Sequence, residues 1–134
     1  MNSLRVLICE DEGLTTLRMR TTLTRLGYEV VGVAGDGEAV IPAAAELLPD
    51  LILMDVEMPR LDGISATRRI MGDNPTAIVI SSAYSDRETV RAALEAGAAG
   101  YLIKPVSDEQ LEKALAAAME CFRSAGAPSA FPRG

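Results

Sequence analysis

Short apolar runs alternate with amphipathic stretches along this chain. The runs are Leu4–Cys9, Tyr28–Ala34, Leu51–Asp55, Ala77–Ser82 and Gly100–Ile103, each of strand length. Between them, apolar positions recur at helical spacing near 13–26, 37–48, 63–71, 86–96 and 108–122. Five strand–helix units in succession predict a parallel sheet with helices on both faces. Leu51–Met54 (LILM) and Ala77–Ile80 (AIVI) are continuous rather than alternating, as strands covered on both faces should be.

Local signals sharpen the helices. Met19, Leu23 and Leu26 stand at i, i+4 and i+7, and Gly27 follows as a stop. Ser85-Asp86-Arg87-Glu88 reads as a capping box opening the fourth helix, whose Val90, Ala93, Leu94 and Gly97 line one face. Ser107-Asp108-Glu109-Gln110 reads as a second box, followed by Leu111, Leu115 and Phe122 on a common face. Pro42 falls inside the second helix, where it removes a backbone hydrogen bond. It predicts a kink, or a helix beginning near Ile41. After Phe122 the periodicity stops, and RSAGAPSAFPRG is rich in small residues, Gly and Pro. The expected organisation is one domain over 1–122 and a flexible tail or truncated linker over 123–134.

Composition narrows the chemistry. With 134 residues, 49% of them hydrophobic, the chain can bury a core without a disulfide or structural metal. No apolar run approaches bilayer length and the N-terminus lacks a secretory pattern, so the expected location is the cytoplasm. Cys9 and Cys121 fit no zinc or redox spacing and are expected to be reduced and packed. Histidine is absent, which removes Ser-His-Asp triads, histidine-ligated zinc and imidazole acid–base catalysis. A net charge of −6 disfavours nucleic acid and anionic membranes, and the Arg68-Arg69 doublet reads as a solvated helix face.

Open parallel sheets bind ligands beyond the carboxyl ends of their strands. There the first strand offers Glu10-Asp11-Glu12, the third Asp55 with Glu57 two residues on, the fourth Ser81-Ser82 and the fifth Lys104-Pro105. Two carboxylates about 5 Å apart repel by roughly 3 kcal/mol at an effective dielectric near 20. Lys104 alone is too little counter-charge for Glu10, Asp11 and Asp55. A divalent cation held by few oxygens, with room for water, would supply the rest, and Mg²⁺ suits such a set better than Ca²⁺. Each residue alone has an ordinary structural explanation, as loop, cap or turn. Their joint occurrence on successive strand–helix units is what points to function.

The segments VLICEDE, LILMDVEMPRLDGI, AIVISSAYSD and AGAAGYLIKPV resemble, in order and spacing, the signature segments of the receiver family of two-component response regulators. The resemblance covers about residues 4–122. It implies a flavodoxin-like doubly wound sheet of five strands in the order 2-1-3-4-5. It also implies roles: Asp55 as phosphoacceptor; Asp11, Asp55 and the Glu57 backbone carbonyl as Mg²⁺ ligands, with Glu10 acting through water; Mn²⁺ as a substitute. Ser82 corresponds to the hydroxyl that bonds the phosphoryl group, Lys104 to the lysine pairing with it, and Pro105 to a cis-proline. Tyr101 resembles the aromatic switch residue that turns inward on activation. Glu57 and Tyr84 stand where the family tunes hydrolysis. One departure is Glu10 where aspartate is more frequent.

The implied activity is a phosphorylation-dependent switch rather than an enzyme, with at most self-phosphorylation from small donors and slow self-dephosphorylation. The implied partners are a histidine kinase or phosphotransfer protein, and a downstream protein or output domain. Homodimerisation through the surface of the fourth helix, fifth strand and fifth helix belongs to the same expectation. GYEVVGVAGDGEAV and GAAGYLIKP further resemble receivers that precede a small RNA-binding antitermination domain. A phosphate-independent interaction module is the other alternative. A dinucleotide fingerprint fails, because Val40 stands where Gly35-Asp36-Gly37 would need its last glycine. An aspartyl phosphatase would want a second Asp where Glu57 stands.

Overall fold

The structure is a computed structural model and describes residues 3–124. Ten elements alternate strictly: β1 (Arg5–Cys9), α1 (Gly13–Arg25), β2 (Glu29–Ala34), α2 (Gly37–Leu47), β3 (Leu51–Asp55), α3 (Gly63–Asp73), β4 (Ala77–Ser82), α4 (Arg87–Glu95), β5 (Gly100–Ile103) and α5 (Asp108–Ser124). The five strands form one sheet in the order β2-β1-β3-β4-β5, with every pair parallel. The order reverses between β1 and β3, and a crevice opens there at the carboxyl ends of the strands.

Alternation within the strands builds two cores. Val6, Ile8, Leu51, Leu53 and Val79 point to one face, against Leu23 of α1 and Leu111, Leu115 and Ala118 of α5. Leu7, Cys9, Ile52, Met54 and Ile80 point to the other, against α2, α3 and Ala93 of α4. All five residues of β3 are buried, so this strand is covered from both sides. Truncating Leu53 to Ala there would cost about 2–5 kcal/mol.

Sequence signals fix most element ends. Gly27 adopts φ +97 after α1, and the Tyr28 N–H bonds back to Leu23 O at 2.9 Å. The Ser107 box forms as expected: Ser107 N–H donates to Gln110 Oε1 at 2.9 Å and Gln110 N–H to Ser107 Oγ at 3.1 Å.

Four expectations need correction. α2 starts at Gly37, not near Ile41, because Asp36 caps it by accepting from Ala39 N–H; the helix runs through Pro42. The cap of α4 is Asp86 rather than Ser85, since Asp86 accepts from Thr89 N–H at 3.0 Å. Leu94 lies on the exposed side of α4, where Ala93 and Ala96 make the buried contacts instead. Cys121 is exposed on α5, and only Cys9 is packed; both are free thiols. α5 runs two residues past the expected domain end at 122, and the rest of the anticipated tail lies outside the described residues. Among the described residues, no helix is long and apolar enough to cross a membrane.

Candidate functional site at the carboxyl edge of the sheet

β1, β3, β4 and β5 deliver the chemical residues to one edge. β3 ends on Asp55, which is 3% exposed. β1 leads directly into Glu10, also 3% exposed, while Asp11 faces solvent. One carboxylate oxygen from each of Glu10, Asp11 and Asp55 lies within 4.8 Å of the others. From the end of β5, Lys104 Nζ reaches Asp55 Oδ1 at 3.1 Å and Glu10 Oε1 at 3.7 Å. The backbone aims the lysine: its N–H bonds to Ser82 O at 2.8 Å, and the Lys104–Pro105 peptide bond is cis.

The cluster is short of positive charge. Burial, and then the Asp55 carboxylate, push Glu10 above the usual carboxylate range; Lys104 and the Glu12 N–H only partly offset them. Burial works to lower Lys104, yet its hydrogen bond to Asp55 and the charges of Asp55, Glu10 and Glu57 hold it above the ordinary lysine value. Glu10 Oε2 accepts from Glu12 N–H at 3.3 Å, but Oε1 is buried without a hydrogen-bond donor. Three oxygen donors, one orphaned buried oxygen and a single ammonium fit a hard divalent cation with part of its water shell.

The loop between β3 and α3 carries Glu57, half-buried, in a tight path. Gly63 N–H bonds to Val56 O at 2.9 Å, and a Cβ on Gly63 would sit 2.0 Å from Asp55 O. Only glycine permits this approach behind Asp55, so Gly63 is a site residue that an Asp-Gly reading as mere turn chemistry overlooks. Glu12 goes the other way. It follows Glu10 and Asp11 in the acidic run, but it caps α1 by accepting from Thr15 N–H at 2.7 Å.

Ser82 is fully buried, and its Oγ accepts the Tyr84 N–H at 3.0 Å. Tyr84 itself is 51% exposed. Its backbone oxygen accepts from Tyr101 Oη–H at 2.7 Å, while the Tyr101 ring is half-buried and packs against the core on the α3–α4 face. Ser82, Tyr84 and Tyr101 thus form one chain of contacts leading from the acidic pocket to β5. Cys9 lies just below the pocket. Burial first, then the charges of Asp36, Asp55, Glu10 and Asp11, push its thiol up to about 12, so it stays protonated and unreactive at neutral pH.

Fold and site together define a class: a flavodoxin-like α/β domain with a lysine-tethered acidic pocket at the strand ends. The family model of the response regulator receiver domain matches residues 6–116, and the chain belongs to that family. It is 44% identical over 119 residues to the transcriptional regulatory protein PdtaR of Mycobacterium tuberculosis, covering 89% of this chain and 58% of PdtaR. The chain thus spans little more than half of that relative. It is 36% identical over 112 residues to the chemotaxis protein CheY of Thermotoga maritima, covering 83% of this chain and 93% of CheY. Among solved structures it resembles the signal receiver domain of the putative response regulator NarL from Mycobacterium tuberculosis, with a TM-score of 0.85, 30% identity, and coverage of 90% and 98%. It also resembles a CheX–CheY–BeF₃–Mg²⁺ complex from Borrelia burgdorferi, with a TM-score of 0.82, 25% identity, and 89% of each chain covered.

Proposed function

We propose that this domain is a phosphorylation-dependent switch in which Asp55 accepts a phosphoryl group. The observation that carries the reading is Asp55 itself. It is a buried carboxylate at a strand end, 3.1 Å from Lys104 and within 4.8 Å of Glu10 and Asp11. Asp11, Asp55 and the Glu57 carbonyl would hold Mg²⁺, with Glu10 engaged through water; Mn²⁺ would serve in its place. Bound there, the cation neutralises charge on the transferring group, which is the main demand of phosphoryl transfer. The Borrelia relative was solved with BeF₃ and Mg²⁺, which supports the choice of ion.

The donor is a phosphohistidine on a sensor kinase or phosphotransfer protein, or a small acyl phosphate. The Asp55 oxygen forms a bond to phosphorus as the bond from phosphorus to the donor breaks. Lys104, already beside Asp55, pairs with a phosphoryl oxygen. Ser82 keeps its hydroxyl hydrogen to donate, because its Oγ accepts rather than donates in the contact with Tyr84. Drawing Ser82 toward the phosphoryl group pulls on the Tyr84 backbone, and the Tyr101 hydroxyl holds that same residue. The change therefore reaches α4, β5 and α5, where Leu94 and Ile103 are exposed for a partner, an output domain or a second copy. By the family resemblance, Glu57 and Tyr84 stand at the approach to the phosphoryl group and would set a slow self-dephosphorylation. The domain works in the cytoplasm, without direct nucleic-acid or membrane binding by the described residues.

A second reading concerns output. The match to PdtaR, a transcriptional regulatory protein, covers 58% of that protein. This supports a receiver that controls a regulatory output; the antitermination type rests on the resemblance of GYEVVGVAGDGEAV and GAAGYLIKP alone.

The test is incubation with acetyl phosphate and Mg²⁺, followed by intact mass spectrometry. The wild type should gain one phosphoryl group, chelation should prevent it, and Asp55→Asn should abolish it. Phosphorylation that persists in Asp55→Asn overturns the assignment.

A further inference from the structure

The loop that carries Glu57 is gripped from outside the acidic pocket. Residues 56–62 are fixed at their ends by Val56 N–H to Ser81 O at 3.3 Å and by Gly63 N–H to Val56 O at 2.9 Å. Between those ends the loop leans on the start of α2 and the end of β1. Arg60 Nη1 reaches Asp36 Oδ2 at 2.8 Å. Cys9 Sγ lies 3.1 Å from Met58 Sδ. Leu61 presses on α2 so closely that a Cβ on Gly37 would sit 1.9 Å from Leu61 O.

Arg60 holds this position in an unfavourable conformation. Its φ is +71, in the left-handed region, where the Cβ of an ordinary residue crowds its own backbone. Such a conformation persists when surrounding contacts over-determine it, and it concentrates where geometry matters for function. The contact partner is itself fixed. Asp36 Oδ1 accepts the Ala39 N–H at 2.8 Å as the cap of α2, which leaves Oδ2 for Arg60. The Asp36 side chain is only 15% exposed, so the pair is shielded on one side.

We propose that Arg60 and Asp36 form a clasp that positions the Glu57 carbonyl, and with it sets the affinity of the pocket for its divalent cation. The inference rests on the phosphoacceptor reading, in which that carbonyl is a metal ligand. Arg60 lies three residues beyond Glu57, and Cys9 immediately precedes Glu10. The clasp ties the Glu57 loop to the start of α2, and Cys9 Sγ, 3.5 Å from Asp36 O, holds the end of β1 against the same cap. Ligand sites tolerate displacements of only about 0.5 Å before they weaken. Arg60 and Asp36 are positioning residues; neither touches the reacting atoms.

The experiment measures Mg²⁺ affinity by amide chemical-shift titration, and melting temperature in parallel, for wild type, Arg60→Ala, Arg60→Gly, Arg60→Lys and Asp36→Asn. Asparagine keeps a capping oxygen for Ala39 and replaces the oxygen that accepts from Arg60 with an NH₂ donor. Arg60→Ala and Asp36→Asn should weaken Mg²⁺ about two- to fivefold, the range of a partly exposed ion pair. Arg60→Lys should recover most of the affinity. Arg60→Gly separates positioning from folding, because glycine relieves the left-handed strain. It should melt at or above the wild-type temperature and still bind Mg²⁺ more weakly. A glycine variant that binds like wild type overturns the clasp alone, as does a parallel fall of affinity and melting temperature across the series. A wild type that binds no Mg²⁺ overturns the phosphoacceptor reading and the clasp with it.

Discussion

Asp86 and Glu10 are both carboxylic acids just beyond a strand, and their surroundings push them in opposite directions. Asp86 accepts the backbone N–H and the hydroxyl of Thr89, and these bonds hold its carboxyl below the usual range. Asp36 does the same at α2, held down by the Ala39 N–H and by Arg60. Glu10 has one weak backbone donor, a distant lysine and two acidic neighbours, and burial drives it up. The caps have a ready-made cation surrogate, the orphan N–H groups and dipole of a helix start. The pocket has only Lys104, 3.1 Å from Asp55 and 3.7 Å from Glu10. In this chain, acids that meet helix-start donors are held low, and Glu10, which has few donors, is pushed up.

Magnesium should separate the two regions most sharply. Asp11→Ala should weaken Mg²⁺ binding by about tenfold or more, and Glu10→Ala by less, since acids acting through water contribute less than direct ligands. Asp86→Ala, which removes a carboxylate from outside the pocket, should leave the affinity unchanged. Isothermal calorimetry or a chemical-shift titration reads all three. Equal losses from Asp11→Ala and Glu10→Ala would break the division between direct and water-mediated roles.

Stability should respond with opposite signs in the two regions. Asp86→Ala removes a cap and should lower the melting temperature by about 3 °C in metal-free buffer. Glu10→Gln keeps the shape and removes a crowded buried charge, so it should raise the melting temperature in the same buffer. A fall in both variants would mean that Lys104 already satisfies Glu10.

Much of this was legible in the sequence, and the exceptions have physical reasons. Continuous apolar runs at Leu51–Met54 and Ala77–Ile80 announced doubly covered strands, and β3 and β4 are buried throughout. The strand ends announced the pocket, because a parallel sheet must bring Asp11, Asp55 and Lys104 to one edge. What the pattern could not separate was which of several adjacent polar residues takes a given job. Ser85 and Asp86 both suit a cap, and the one whose oxygen meets Thr89 N–H is decided by a single residue of loop path. Glu10, Asp11 and Glu12 look alike in a row, and only the turn into α1 assigns the third to Thr15. Pro42 argued for a kink or a late helix start, yet α2 runs from Gly37 through Pro42, with Asp36 capping its first turn and Val40 and Ala44 buried against the core. The Arg60–Asp36 pair joins residues 24 apart, with no local signal.

Acid isolates the caps from the pocket. A carboxyl held below its unfolded value contributes stability that is complete above the unfolded pKa and is lost as pH falls through the folded one. For Asp86 that window opens near the ordinary value of 3.8 and extends downward, because the Thr89 bonds hold the group lower in the folded state. Asparagine caps about as well as aspartate but does not titrate. Asp86→Asn should therefore match the wild type closely at pH 7 and lose less stability than the wild type as the pH falls below the ordinary value of 3.8. Urea unfolding at a series of pH values measures the difference, and neither Lys104 nor the pocket acids need be disturbed. Because Asp86 is exposed and its partner is a single threonine, the effect should be smaller than the loss of a metal ligand or of the whole cap. A wild type and an Asp86→Asn variant with the same acid dependence would show that Thr89 holds Asp86 no more tightly than water does.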